Sequence, residues 1–142
     1  HLLEKLLNAG CEVRGDNDVV TFSKKIKKAS EQDWKKEYLD SIVSIKVVNS
    51  LNEAINHINN YSSKHTDAII TNSTKNAKLF LTEIQSAIVM HNTSTQFSDG
   101  AEFGLGAEIG ISTGKLHARG PVSTQELTTY KYIVKGNGQL RQ

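Results

Sequence analysis

Between Ser41 and His91 the chain alternates strand-like and helix-like stretches, and this alternation limits the possible folds more than any other feature. Residues 41–48 (SIVSIKVV) are rich in β-branched side chains and read as a buried strand. Ser50-Leu-Asn-Glu53 follows as a capping box, with Leu51, Ala54, Ile55 and Ile58 on one helical face behind it. Residues 68–71 read as a second strand. Asn72 or Ser73 can then cap a second helix carrying Ala77, Leu79, Phe80, Leu81 and Ile84, and residues 87–91 read as a third strand. Strands separated in this way by helices pair in parallel, through helical crossovers packed on the sheet. The fold class is therefore α/β with a parallel sheet.

The flanking segments are shorter. Leu2, Leu3, Leu6 and Leu7 recur at helical spacing, and Gly10 is placed to end that helix. Residues 12–14 read as a short strand and residues 15–18 (GDND) as a turn. Ser30-Glu-Gln-Asp33 is a capping box for a short helical turn. Lys24, Lys25, Lys27 and Lys28 surround Ile26 and read as a solvated face, since nothing aromatic interleaves for base stacking. Residues 128–134 (TTYKYIV) alternate as a last strand before a polar tail. Two units are expected: residues 1–127 as the body, and residues 128–142 as a strand and tail free to add to another sheet edge.

Composition narrows the classes of function. A net charge of +2 is too small to argue for nucleic acid or a membrane surface, and no apolar run approaches the roughly 18 residues of a membrane span. The single cysteine excludes an internal disulfide and suits a reducing cytoplasm, so a cytoplasmic location is expected. The first residues, HLLEK, lack the basic and apolar regions of a secretion signal.

Residues 91–130 hold six of the ten glycines and the only proline. Glycine serves where the backbone takes positive φ or approaches another group closely. With Phe97, Phe103, Leu105, Ile109 and Ile111 to bury, the stretch reads as an ordered loop at a site. SDGAEFGLGAEIGIST followed by KLHARGP resembles the C-terminal signature of the γ-glutamyl phosphate reductase (glutamate-5-semialdehyde dehydrogenase) family, within the aldehyde dehydrogenase superfamily. VNSLNEAINHINNYSSKHTDAI, residues 48–69, and DWKKEYLDSIVSIKVV, residues 33–48, are similar to further segments of the same family. The likeness covers essentially the whole chain.

The resemblance implies the C-terminal part of a three-layer catalytic domain, with residues 128–134 as an oligomerisation strand of a homodimer or larger assembly. It implies NADPH-dependent reduction of L-glutamate 5-phosphate to glutamate 5-semialdehyde and phosphate, in proline biosynthesis, through a cysteine thioester. The dinucleotide-binding half and the nucleophilic cysteine are expected before His1, and the absence of an initiator methionine agrees with truncation. An inactive product of a split or decaying gene, kept as an interaction module, is the alternative.

The resemblance also supplies site residues. Glu37 lies where a glutamate accepts hydrogen bonds from the cofactor ribose; a surface glutamate on a helical turn is equally compatible. Asn92, Thr93, Ser94 and Thr95 follow the third strand, at the end where α/β folds bind ligands; their amide and hydroxyls suit the substrate or else turn capping, and Asn92, Thr93 and Ser94 are assigned to the substrate. Arg119, beside Lys115 and His117, offers a cation to an anionic substrate or an ion pair to the loop. Two departures stand out. Gln96 occupies the place of an arginine in Asn-Ala-Ser-Thr-Arg-Phe, which removes a bidentate donor. Ser123-Thr124-Gln125 replaces Gly-Leu-Glu.

Other candidates read as structural. Cys11 follows a helix-ending glycine and precedes a glutamate, the wrong setting for a thiolate. Gly104, Gly106 and Gly110 lack the spacing and strand-turn-helix context of a dinucleotide fingerprint. His57 and His65 have no ligand cluster beside them and read as hydrogen-bonding residues, with no metal expected.

Overall fold

The computed structural model describes residues 1–141. It is α/β, but its parallel strands form two ladders where the alternation predicts one sheet. In the first, β1 (Glu12–Gly15) lies between β2 (Lys27–Lys28) and β3 (Ile42–Ile45), parallel to both. In the second, β4 (Thr66–Ile69) pairs in parallel with β5 (Ile88–His91), Thr66 facing Ile88 and Ile69 facing His91. β6 (Gly110–Ser112) and β7 (Gly120–Val122) form a small antiparallel pair in the long loop. The alternation is right about the elements and wrong about one pairing: β3 pairs with β1 instead of β4. Residues 41–48 are also less enclosed than expected, since all four residues of β3 are only half-buried.

Helix boundaries follow local chemistry. α1 (Leu2–Asn8) ends at Gly10, whose φ of 79° opens the left-handed cap. Gly10 N donates to Leu7 O at 3.1 Å and Cys11 N to Leu6 O at 3.0 Å, the paired bonds of a Schellman motif. α2 (Leu51–Tyr61) starts at Ser50, whose hydroxyl accepts from Glu53 N at 3.1 Å. The Glu53 carboxylate reaches one residue further back than a capping box requires and accepts from Asn49 N at 2.9 Å. α3 (Thr74–Glu83) is capped by Ser73, accepting from Asn76 N at 3.2 Å. Asn72 is therefore not the cap.

Each ladder has its own apolar cluster. Val13, Val19 and Ile26 are buried under Leu3, Leu6, Leu7, Val43 and Ile45. Ile55, Phe80 and Ile84 join α2 and α3 to Ile69 and Val89 of the second ladder. Residues 128–134 make no strand and are exposed. A strand needs a partner edge to bond to, and among the described residues no edge pairs with it. Gln142, the last residue of the expected tail, lies outside the described residues.

Candidate functional site

A polar knot fixes the segment that leads into β3. Arg14 follows the buried Val13 on β1, so the strand's alternation turns it to the opposite face. Its Nη1 donates to Asp33 Oδ1 at 2.7 Å and its Nε to Glu12 Oε1 at 2.8 Å. Asp33 belongs to a 3₁₀ turn, Glu31–Lys35, and is buried. Ser30 N and Ser30 Oγ both donate to its Oδ2, at 2.6 and 2.7 Å. The Tyr38 hydroxyl donates to Oδ1 at 2.6 Å and lies 2.7 Å from Ser44 Oγ on β3. Donors from Tyr38, Ser30 and Arg14 hold the Asp33 carboxyl well below the usual carboxylate range. Burial, and then the Asp33 carboxylate, push the Tyr38 hydroxyl up.

Beside this knot lies an open cleft of about 590 Å³. One wall is Trp34 to Glu37, the second runs from Tyr61 to Thr66, and Thr95, Ser98 and Thr113 of the long loop form the third. Glu37 is exposed to the cleft. Behind two of its lining residues stands His57 of α2, which meets Trp34 edge-on at 5.4 Å and Tyr61 at 4.7 Å. Burial, then the Lys46 cation, lower the His57 pKa. The Tyr61 hydroxyl donates to the Glu31 carboxylate, and His65 Nδ1 lies 2.7 Å from Thr66 Oγ1. Both histidines thus sit in hydrogen-bonding or stacking roles. Among the described residues the Glu37 carboxylate has no hydrogen-bond partner, and it stands among hydroxyls and lysines that can meet a hydroxyl-bearing ligand.

The structure does not gather all the sequence-derived candidates into this cleft. Asn92 turns back with φ 56°, accepts from Thr71 N at 2.8 Å and donates to Thr71 O at 2.9 Å. Its amide is thus spent on joining the ends of β4 and β5. Ser94 caps the 3₁₀ turn Thr95–Phe97, accepting from Gln96 N at 3.2 Å. Thr93 and Arg119 line a second hollow of about 620 Å³ beneath β5, with Met90, Phe97 and Phe103. The Arg119 guanidinium also donates to the Gln85 carbonyl, and Lys115 Nζ to Gln85 Oε1 at 3.1 Å. Gln96 is exposed.

Two expectations about the loop need correction or completion. Phe97, Phe103, Leu105 and Ile109 were expected to be buried, yet all are exposed, Ile109 at 70%. Only Ile111 is half-buried, because the loop closes on itself through β6 and β7 and does not fold back over its apolar side chains. Gly104 and Gly106, with φ of 75° and 78°, lie before that pair, where Gly104 N bonds Ala101 O at 3.0 Å and Leu105 N bonds Gly100 O at 2.9 Å in the turn leading into β6. Ser123 is buried and well bonded: its N–H and hydroxyl both donate to Glu126 Oε2, at 2.9 and 3.1 Å. These bonds, led by the backbone donor, lower the Glu126 pKa.

Sequence reasoning passed over Trp34, Tyr61, Ser98 and Thr113 as cleft residues. The run Tyr61-Ser62-Ser63 was visible as part of the family segment, but no local pattern says which residues of a loop face a cleft.

The parallel ladders, the capped crossover helices and the glycine-rich loop define a class. Residues 25–132 match the aldehyde dehydrogenase family, and the chain belongs to it. Within that family its similarity is to gamma-glutamyl phosphate reductases. It is 60% identical to that of Sphingopyxis alaskensis and 59% to that of Rhodospirillum rubrum, in each case over 99% of this chain and 33% of the relative. The crystal structure of the Thermotoga maritima gamma-glutamyl phosphate reductase superposes with a TM-score of 0.92 at 49% identity, covering 99% of this chain and 34% of that one. The chain thus spans about one third of the length of the relatives it matches. Among the described residues, no helix is long and apolar enough to cross a membrane.

Proposed function

We propose that this chain supplies one wall of the active site of an NADPH-dependent γ-glutamyl phosphate reductase, which reduces L-glutamate 5-phosphate to glutamate 5-semialdehyde and phosphate in proline biosynthesis. The observation that carries this reading is the open Glu37 carboxylate facing a hydroxyl-lined cleft across from Thr95 and Ser98. NADPH, when bound, supplies the hydride. Glu37 offers two acceptor oxygens to the ribose hydroxyls and so orients the nicotinamide end. Thr93 and Arg119 present a hydroxyl and a cation to the anionic substrate, and Asn92 and Ser94 shape the turn that carries Thr93.

Cys11 is not the nucleophile in this reading. It is half-buried at the cap of α1, where its Sγ lies 3.7 Å from the Glu12 carbonyl oxygen. The thiol is assigned to a part of the enzyme outside this chain. The assembly is cytoplasmic and homo-oligomeric, with residues 128–134 as its joining strand.

The test is a chimera in which this chain replaces the corresponding third of the Sphingopyxis alaskensis enzyme. It should catalyse NADP-linked oxidation of glutamate semialdehyde with phosphate, while the chain alone should not. A folded chimera without turnover would favour an inactive module.

A further inference from the structure

We infer that Tyr38 is a positioning residue for Glu37, holding its carboxylate toward the nucleotide side of the cleft. The inference rests on the ribose-binding reading of Glu37 and goes beyond it. Residues 36–40 lie between a 3₁₀ turn and β3 and have no ladder of their own, so side chains must fix their path. The segment is also costly to hold. Leu39 has φ of 53°, in the left-handed region, and its side chain is 90% exposed, so its own packing cannot offset that conformation.

Tyr38 supplies the missing anchor. Its hydroxyl bridges Asp33 Oδ1 on the turn and Ser44 Oγ on β3, and the Arg14 guanidinium stands 5.0 Å from its ring centre. Asp33 is in turn immobilised by Ser30 and Arg14. Tyr38 therefore points inward to a rigid knot while its neighbour Glu37 points out into the cleft. Loss of the hydroxyl would release the backbone at Glu37 without removing any group from the cleft itself.

The experiment uses the complete chimeric enzyme with Tyr38→Phe and, separately, Glu37→Gln. NADPH dissociation constants come from fluorescence titration, which needs no turnover, and are compared with the KM values for NADP+ and semialdehyde in the oxidative assay and with melting temperature. Tyr38→Phe should weaken NADPH binding by about fivefold, the worth of one hydrogen bond. The melting temperature should fall modestly, because the buried Asp33 loses one of its donors, while the semialdehyde KM should hold, because Asp33 keeps its bonds to Arg14 and Ser30. Glu37→Gln should weaken NADPH binding at least as much. If Glu37→Gln weakens binding and Tyr38→Phe does not, the positioning role is overturned and the reading of Glu37 stands. If neither does, both are overturned. A Tyr38→Phe enzyme that loses melting temperature and substrate affinity together would reduce Tyr38 to a structural residue and overturn the inference.

Discussion

Asp33 is the residue on which most of the polar organisation converges. It is nearly sealed from water, yet it accepts from Ser30, Arg14 and Tyr38, and every one of those donors prefers the ionised carboxylate. Its folded-state pKa is therefore depressed relative to the unfolded chain. A depressed carboxylate stabilises the fold fully above the unfolded value, about 4, and progressively less as pH falls below it. Urea unfolding followed from pH 7 down to pH 3 should show stability declining in the acid range. Asp33→Asn should be less stable at pH 7 and should flatten that decline; an unchanged acid slope would assign it to other carboxylates. Half of this arrangement was legible. Ser30 and Asp33 stand three apart and read as a capping pair. Arg14 lies nineteen residues away, and only the fold brings it to Asp33.

At the scale of elements, what local chemistry decides was readable and what edges decide was not. Gly10, Ser50 and Ser73 end or begin helices where their side chains and backbone freedom predict. The second strand, expected at residues 68–71, lies at Thr66–Ile69, two residues earlier, because alternation marks a strand without marking where its ladder starts. Gly15 shows a different limit. It reads as the start of a turn, but it closes β1, and a Cβ there would stand 2.5 Å from Val19 Cγ1. Val19 is buried, so it cannot give way cheaply. Gly15→Ala should cost about 1–3 kcal/mol, the usual range for overpacking, measured by denaturant unfolding. A loss of under a few tenths of a kcal/mol would mean that the turn Val19–Phe22 moves freely.

At the scale of the whole molecule, apolar surface is the dominant fact. Tyr130, Tyr132, Ile133 and Val134 are exposed by 72–91%, and Phe97, Phe103 and Ile109 add to them from the loop. Such surface drives association. The full chain should self-associate in sedimentation velocity at micromolar concentration, and a chain ending at Leu127 should do so distinctly less. Equal behaviour would place the adhesive surface on the loop. Family membership was legible at this scale because it is written in contiguous segments. The division into two ladders was not, because no contiguous segment encodes which strands refuse to pair. The loop itself is tied at both ends: the Asn92 amide closes on Thr71 at one, and the β6–β7 pair begins with Ile109 N bonded to Val122 O at 2.8 Å at the other. Between those moorings the loop bonds mainly to itself, as in Leu105 N to Gly100 O at 2.9 Å and Gly100 N to Glu108 Oε2 at 2.7 Å, and the register of β4 against β5 is set without it. The ladder thereby carries the loop as a tethered arm: a displacement inside the loop is taken up between its two anchors, and the strands beneath keep their places.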